Sequence, residues 1–358
     1  MPELIDFLRL TVEWDGSDLH LKAGGPAYIR VAGQLREVAE LGRLMPADTV
    51  AFADQLLPDA QREVFGAGRE ADFAHSVPGL GRFRVAAFRQ RGSVGLVLRR
   101  VRPGSQTLEE LQLPPVVRKI AEEQRGLVLV TGPTGSGKTT TTAAMIGHIN
   151  ATRRCHIVTV EDPIEILHHD NLAILDQREV GVDTANFATA LRSVARQDPD
   201  VIFIGEMRDL ETVGAALQAA ETGHLVLSTL HTTDATETVN RVIDMFPPHQ
   251  QQQARISLAN ALRGIVSQRL VPRTDAGLVA VIEAMVMTVR LREFVLDPDK
   301  TELMPDAIAE GAYYGMQTFD QHLLELFRAG VVSMEAALDA ATSPHDFRIA
   351  ARGVTATP

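Results

Sequence analysis

A glycine-rich segment followed by lysine and threonine carries the strongest chemical signal in the sequence. It reads Gly132-Pro133-Thr134-Gly135-Ser136-Gly137-Lys138-Thr139 and fits G-x-x-x-x-G-K-[ST], the pattern of a phosphate-binding loop. Glycines let backbone N–H groups point at phosphate oxygens, and the following helix adds its positive dipole end. Lys138 would reach the β- and γ-phosphates and the Thr139 hydroxyl would bind Mg²⁺. We therefore predict an ATP and Mg²⁺ site from Gly132 to Thr140; the alternative is a glycine turn before an amphipathic helix.

Two apolar segments end in carboxylates that could activate water. Residues 200–206 end in Gly205 and Glu206, and we expect Glu206 to position water, act as general base or face Mg²⁺. Residues 158–160 lead into Glu161, Asp162 and Glu165, three acids whose proximity is costly unless they are solvated, paired or near a cation. They would bind Mg²⁺ through water or help hold the nucleophile, and their spacing does not choose among them. Exposed strand-end carboxylates are the alternative in both segments.

Histidines and arginines supply further candidates. His224 and His231 flank the apolar run 225–230; in an extended strand they would lie about 23 Å apart and on opposite faces. We interpret His231 either as a γ-phosphate sensor or as a capped strand end. Arginines cluster at positions 82, 84, 89, 91, 99 and 100. Either they form a solvated face, or some of them reach a nucleotide bound by a neighbouring domain or subunit and stabilise its negative charge in the transition state.

The periodicity of the chain differs on the two sides of residue 103. Before it, alternating segments predict half-buried strands and Pro46–Leu57 has the spacing of a helix, which indicates a small α+β domain over 1–102. After a linker at 103–115, short continuous apolar runs alternate with helical patterns and predict a parallel sheet covered by helices over 116–358. The expected strands are 19–22, 28–31, 82–89, 94–101, 127–130, 156–160, 201–204 and 225–227. From Val239 onward we expect mostly helix.

Composition narrows the class of protein. The chain has 358 residues and a formal net charge of −11, which suits two domains and argues against a general nucleic-acid binder. Its single cysteine, Cys155, excludes an internal disulfide framework and a multi-cysteine zinc site. No basic segment followed by an apolar one and no apolar stretch near the ~20 residues of a membrane span is visible. We expect a cytosolic protein with at most a peripheral membrane role.

With these residues in place, the chain resembles the PilT-type motor ATPases of type IV pili, within the wider family of secretion ATPases. Residues 17–21 and 29–33 are similar to the start of that family's PAS-like domain. Four ordered motifs match its Walker A loop, Asp box, Walker B region and His box, at 132–139, 161–165, 205–212 and 220–233. The resemblance covers nearly the whole chain. It implies an α/β fold with a RecA-like P-loop ATPase core and a smaller PAS-like α+β domain.

The resemblance also implies roles for individual residues. Its catalytic side chains would be Glu206, Glu165, Glu161, Asp162, His231, Arg84 and Arg99. Glu206 would be the catalytic glutamate, also facing Mg²⁺, and Glu165 the most important acid of the Asp box. His231 would lie near the γ-phosphate, while His224, counted with the nucleotide-binding residues, would be structural or coupling. Arg84 and Arg99 would reach the nucleotide from the small domain.

At the scale of the cell, the family implies a homohexameric ring that drives pilus retraction and twitching motility. ATP turnover would change the angle between the two domains and act on a PilC-like platform protein of the inner membrane. A second retraction ATPase is a further candidate partner, and no nucleic acid is expected. The motor would be cytoplasmic and peripheral to the inner membrane through the pilus machine.

The subtype rests on smaller features. The absence of an extra amino-terminal domain and of a four-cysteine site favours the retraction branch, as do residues 315–320. Residues 287–293 match the retraction motif loosely, and Gln197 stands where many retraction motors have Glu. An accessory PilU-like motor and a type II secretion or pilus assembly ATPase therefore stay open. From other classes, an ATP-binding regulator with little turnover and a nucleic-acid translocase are the alternatives.

Overall fold

The computed structural model describes residues 3–68 and 70–353, which form two compact units. The first unit comprises the residues up to Pro103 together with Glu165–Leu167, and the second comprises Gly104–Ile164 and the residues from His168 onward. Residues 104–115, expected as a linker, are grouped with the second unit, where Leu108 is buried in the core. The expected outer limits at residues 1 and 358 lie outside the described residues.

The first unit is an antiparallel sheet with helices packed on it. Strand order is β3-β2-β1-β6-β5-β4, and the two-residue strand β9 joins β6 in parallel. The strands are β1 (Asp18–Lys22), β2 (Pro26–Val31), β3 (Gln34–Arg43), β4 (Ala71–Val77), β5 (Gly81–Gln90), β6 (Ser93–Pro103) and β9 (Ile166–Leu167); the helices are α1 (Leu4–Glu13), α2 (Pro46–Leu56) and α3 (Asp59–Gly66). Alternate strand residues such as Leu19, Leu21 and Phe83 are buried with Phe7 and Phe52 of the helices, because successive strand side chains point to opposite faces.

The second unit contains the parallel sheet that the apolar runs predict. Its order is β10-β8-β11-β12-β7-β13-β14, with β14 antiparallel to β13 and the other neighbours parallel. The strands are β7 (Gly126–Thr131), β8 (His156–Glu161), β10 (Ile174–Glu179), β11 (Val201–Ile204), β12 (Leu225–Leu230), β13 (Leu262–Pro272) and β14 (Leu278–Val286). Every residue of β7, β11 and β12 is buried, as expected for strands covered on both faces.

Helices cover this sheet and continue to the end of the described chain. They are α4 (Pro115–Ala121), α5 (Lys138–Thr152), α6 (Phe187–Val194), α7 (Leu210–Glu221), α8 (Ala235–Asp244), α9 (Gln251–Ala261), α10 (Val289–Leu296), α11 (Met304–Ala309), α12 (Phe319–Arg328), α13 (Met334–Ala340) and α14 (Pro344–Arg352). Among the described residues, we find no helix with the length and apolar character required to cross a membrane.

Most of the described chain after Val239 is helical, as expected, but two strands that the sequence did not indicate, β13 and β14, also lie there. Both strands depart from the regular, continuously apolar pattern of the central strands. The buried polar residues Ser267, Gln268 and Glu283 interrupt the apolar runs, and the pairing of β13 with β7 shifts register between Leu262 and Gly264. β13 lies directly beside β7, the strand that leads into the glycine-rich loop.

The parallel strands bring the predicted site residues to one edge of the sheet. β7 and β12 are paired in register from end to end, and β8 and β11 continue the sheet in the same direction. The residues that follow their carboxyl ends include Gly132, Gly205 and His231. This edge is where ligands bind in open α/β sheets.

Candidate nucleotide site

The glycine-rich loop connects β7 to α5 in a conformation that depends on glycine. Gly135 and Gly137 have φ angles of +81° and +88°, which L side chains adopt rarely. Gly137 precedes Lys138, the first residue of α5, so the loop ends on the amino terminus of a fifteen-residue helix. A side chain on Gly132 would collide with the Gln268 carbonyl oxygen and the Ser136 hydroxyl. Pro133, Thr134 and Gly135 are exposed, and the loop lies at the amino terminus of a helix, a position that favours anion binding.

Gln268 supports this loop from beneath, a role that the sequence did not indicate. It lies on β13 with 1% of its surface exposed, and its side-chain amide donates a hydrogen bond to the Ser136 carbonyl oxygen. A Cβ atom on Gly137 would approach the same amide nitrogen to 2.8 Å. The loop is thus packed on Gln268 as well as hydrogen-bonded to it.

Lys138 folds back along the loop. Its Nζ donates to the carbonyl oxygens of Gly132 at 2.7 Å and Pro133 at 3.0 Å. Burial lowers the pKa of Lys138, and the Glu206 carboxylate opposes that effect. The lysine therefore places a positive charge inside the loop, while Thr139 and Thr140 occupy the first turn of α5, Thr139 exposed and Thr140 half-buried.

Glu206 follows the carboxyl end of β11 and is held by two basic side chains. Its Oε2 lies 2.7 Å from Arg208 Nη2, and its Oε1 lies 3.2 Å from His231 Nε2. Burial raises the pKa of Glu206, but the Arg208 and His231 contacts outweigh it and the pKa is lowered overall. The side chain is thus an ionised acceptor, suited to orienting water.

His231 links the loop lysine to Glu206. Its Nδ1 lies 3.4 Å from Lys138 Nζ, and its Nε2 faces Glu206. Because an ammonium group only donates hydrogen bonds, Nδ1 acts as the acceptor and the ring proton lies on Nε2. Lys138, His231 and Glu206 therefore form a continuous polar chain from the loop to the end of β11.

The Asp-box residues divide among different surroundings. Glu161 is buried and accepts hydrogen bonds from Thr159 Oγ1 at 2.6 Å and Gln177 Nε2 at 3.1 Å. Asp162 is exposed. The pKa of the Arg208 guanidinium is raised mainly by Glu206, and the nearby Asp162 makes a smaller contribution in the same direction. Glu165 is exposed and belongs to the three-residue segment grouped with the first unit.

Three other candidates are not brought to the loop within the second unit. His224 precedes β12, and its carbonyl accepts a hydrogen bond from Gly126, the first residue of β7; it is thus at the opposite edge of the sheet from His231. Arg84 and Arg99 lie in the first unit, directly opposite each other on β5 and β6. Arg99 Nε forms a 2.8 Å ion pair with Asp18 Oδ1.

A cavity of about 380 Å³ opens beside the loop within the second unit. Its lining includes Gly137 and Thr140 of the loop and α5, Leu270 and Arg273 of β13 and the following turn, and Gln112. Arg273 donates a 2.6 Å hydrogen bond to Gln112. A mixed apolar and polar hollow at the helix end of a phosphate loop has the character expected for the rest of a nucleotide.

The donor set is compatible with Mg²⁺. No group of three or more His, Cys, Asp or Glu side chains able to hold a metal occurs in residues 3–68 and 70–353. Mg²⁺ commonly takes one or two protein oxygen ligands plus phosphates and water. The exposed Thr139 hydroxyl and the Glu206 carboxylate are oxygen donors of that kind.

The chain is similar to known proteins in both sequence and structure. The family model described as Type II/IV secretion system protein matches residues 71–311. The type IV pilus retraction ATPase PilT of Pseudomonas aeruginosa is 44% identical over 345 residues, 96% of this chain and 100% of PilT. The type IV pilus ATPase PilU of the same organism is 43% identical over 348 residues, 97% of this chain and 91% of PilU. A crystal structure of the pilus retraction motor PilT with bound ADP has a TM-score of 0.87 at 42% identity, covering 96% of this chain and 98% of that one.

Fold and loop together define an α/β protein with a RecA-like P-loop core. The chain belongs to the type II/IV secretion system protein family and, within it, is of the PilT type. The expectations for fold and family are therefore confirmed.

Proposed function

We propose that this protein hydrolyses ATP and uses the energy to retract type IV pili. The observation that carries the proposal is the polar chain from Lys138 through His231 to Glu206 at the end of a phosphate-binding loop. Similarity to PilT over nearly the whole chain supports the pilus as the object moved.

In this proposal each site residue has a separate role in phosphoryl transfer. The loop amides and Lys138 hold the phosphates, with Lys138 exchanging the Gly132 and Pro133 carbonyls for phosphate oxygens. Glu206 orients the attacking water and accepts its proton, and His231 senses the γ-phosphate through the same chain. Mg²⁺, when bound by Thr139 and facing Glu206, would neutralise phosphate charge. The cavity beside Gly137 takes the base and ribose.

We further propose the assembly that the resemblance implies. Six copies form a ring, in which domains 1–102 and 116–358 change their angle about a hinge near residues 102–105. Arg84 and Arg99 reach a nucleotide from the small domain, and Glu165 acts in the same site. The ring is cytoplasmic and acts on a PilC-like platform protein of the inner membrane.

ATP hydrolysis by purified protein tests the chemistry. Glu206→Gln should bind nucleotide with unchanged affinity and lose turnover by about 100-fold or more, because the amide cannot accept the proton of water. Glu302→Gln is the matched control, since Glu302 is an exposed glutamate outside the four motifs, and it should hydrolyse ATP at the wild-type rate. Wild-type turnover by the Glu206→Gln protein would contradict the assignment.

An accessory motor is the second candidate, because the two relatives are almost equally similar to this chain. PilU is 43% identical to this chain and PilT 44% identical, so identity does not separate the two subtypes. An accessory motor predicts that pili still retract, with reduced force, when only this gene is deleted, whereas a principal motor predicts that retraction stops.

A further inference from the structure

Glu283 is a carboxylate inside the second unit for which the proposed chemistry has no role. It lies on β14 with 7% of its surface exposed. Its Oε1 accepts a 2.9 Å hydrogen bond from the backbone N–H of Ala235, the first residue of α8. A negative charge at that position is stabilised by the helix dipole and by an N–H group that has no partner within the helix.

Three charged groups lie close enough to Glu283 to affect its pKa. They are Asp234 at the amino end of α8, Arg269 on β13 and Asp320 on α12; His322 of α12 accepts a hydrogen bond from the backbone N–H of the neighbouring Ile282. Burial raises the pKa of Glu283 to about 7, with the two aspartates acting in the same direction and Ala235 and Arg269 opposing. An ionised acid in this place costs stability that an apolar side chain of similar size would not. Packing alone therefore does not explain a glutamate here.

The amino end of α8, which Glu283 contacts, is joined to β12 by residues 231–234, and this connection begins with His231. Within that segment the Thr232 hydroxyl lies 2.6 Å from the Thr238 hydroxyl, and Thr233 N donates to Glu237 Oε2 at 2.8 Å. These contacts tie the residues after His231 to α8. Glu283 in turn ties the amino end of α8 to β14 of the sheet.

The same row of the sheet reaches the phosphate loop. Leu230, Thr131, Ser267 and Glu283 are successive neighbours across β12, β7, β13 and β14. Thr131 Oγ1 donates to Ser267 Oγ at 3.0 Å, and both side chains are fully buried. His231 directly follows Leu230, and the glycine-rich loop directly follows Thr131. Glu283 therefore lies in the same row of the sheet as the strand ends from which the His231 and loop segments start.

We propose that Glu283 is a positioning residue for ATP hydrolysis, which holds the amino end of α8 and thereby keeps the His231 ring between Lys138 and Glu206. The inference rests on the proposed ATPase activity. Its contact is with α8 rather than with a nucleotide, so its loss should slow turnover without weakening nucleotide binding. A misplacement of about 1 Å in a catalytic group is enough for a large loss of rate.

A double-mutant cycle on the full chain tests this inference. Glu283→Gln keeps the size of the side chain and an oxygen that can accept from Ala235 N–H, but it removes the charge that strengthens this hydrogen bond and interacts with the helix dipole. We expect kcat to fall about tenfold at pH 8 while the Kd for nucleotide changes by less than about twofold. In a His231→Ala background the same substitution should cause no further loss, because residues that act as a unit are not additive. Glu302→Gln, at an exposed glutamate, is the matched control and should behave as wild type.

Thermal unfolding separates positioning from damage to the fold. Glu283→Gln should melt at the wild-type temperature or above it, because the substitution removes a buried charge. An unchanged kcat, fully additive losses in the double variant, or a fall in melting temperature together with kcat would each overturn the inference. Wild-type protein that hydrolyses no ATP would overturn the proposed function and the inference with it, whereas active wild type beside unaffected Glu283 variants overturns the inference alone.

Discussion

The surroundings of Lys138 place its ammonium group where the proposed phosphate would bind. It is nearly buried and donates to two loop carbonyls, so it is desolvated and aimed into the loop before any phosphate replaces those acceptors. A charge-assisted hydrogen bond to phosphate is stronger than a neutral one to a carbonyl. The exchange of partners therefore favours binding.

We predict that Lys138→Ala abolishes nucleotide binding, with Kd raised by about 100-fold or more, since a buried charged contact to phosphate is lost. Fluorescent ADP titration measures this directly. Lys300→Ala, which removes an exposed lysine paired with Asp297, should bind as wild type. Tight binding by the Lys138→Ala protein would show that the glycine-rich segment is not the phosphate site.

The sequence predicted the candidate residues that stand in short motifs, but not those whose partners are far away along the chain. The loop, Glu206 and His231 stand in short motifs whose order fixes their place at the sheet edge. Gln268 and Glu283 act through contacts with Ser136 and Ala235, which are 132 and 48 positions away along the chain. Such pairings depend on strand order and register, which no local pattern contains.

At the scale of elements, β13 and β14 illustrate the same limit. Polar residues inside them interrupt the apolar pattern and neither strand was predicted, whereas the uninterrupted runs of β7, β11 and β12 were predicted correctly. Two of the polar residues that interrupt the apolar pattern, Gln268 and Glu283, contact the loop and the amino end of α8. Departures from a regular strand pattern here coincide with contacts to the proposed site, as expected where function competes with folding.

At this scale we predict that Gln268→Ala weakens nucleotide binding about tenfold, because the Ser136 carbonyl loses its partner and the loop its support. The same ADP titration measures the change. Gln252→Ala, at an exposed position of α9, is the control. If the Gln268→Ala protein binds ADP as tightly as wild type, the loop holds its conformation without β13.

A second prediction at this scale concerns pH and stability. The pKa of Glu283 is raised to about 7 from an ordinary value of 4.5, so the folded state retains a proton that the unfolded state releases. The free energy of unfolding of the wild type should therefore fall, relative to Glu283→Gln, as pH rises from about 4.5 to about 7, by up to ~3 kcal/mol, and then level off. Denaturant titrations of both proteins from pH 5 to 8 measure the difference. Parallel stability curves would show that Glu283 titrates normally.

At the scale of the whole molecule, the arginines of the first unit raise the question of assembly. Arg84 is exposed on β5, and in the described part of the chain its side chain makes no hydrogen bond or ion pair, whereas Arg99 opposite it is paired with Asp18. An exposed guanidinium on a rigid strand is suited to meeting an anion supplied from elsewhere.

We predict that Arg84→Ala lowers kcat by about tenfold or more and changes nucleotide affinity less, because its contact strengthens as charge spreads in the transition state. Steady-state hydrolysis and ADP binding give the two numbers. Arg9→Ala, at another exposed arginine of the same unit, should have no effect. A loss of affinity with unchanged kcat would place Arg84 away from the reacting phosphate.

The most direct test of a retraction motor is made in the cell that carries the gene. After deletion, surface pili are counted by electron microscopy and twitching is scored, and the strain is complemented with wild type or Glu206→Gln. We predict an excess of pili without twitching, corrected by the wild-type gene and not by the Glu206→Gln variant. Bald cells, or full rescue by Glu206→Gln, would contradict an ATP-driven retraction motor.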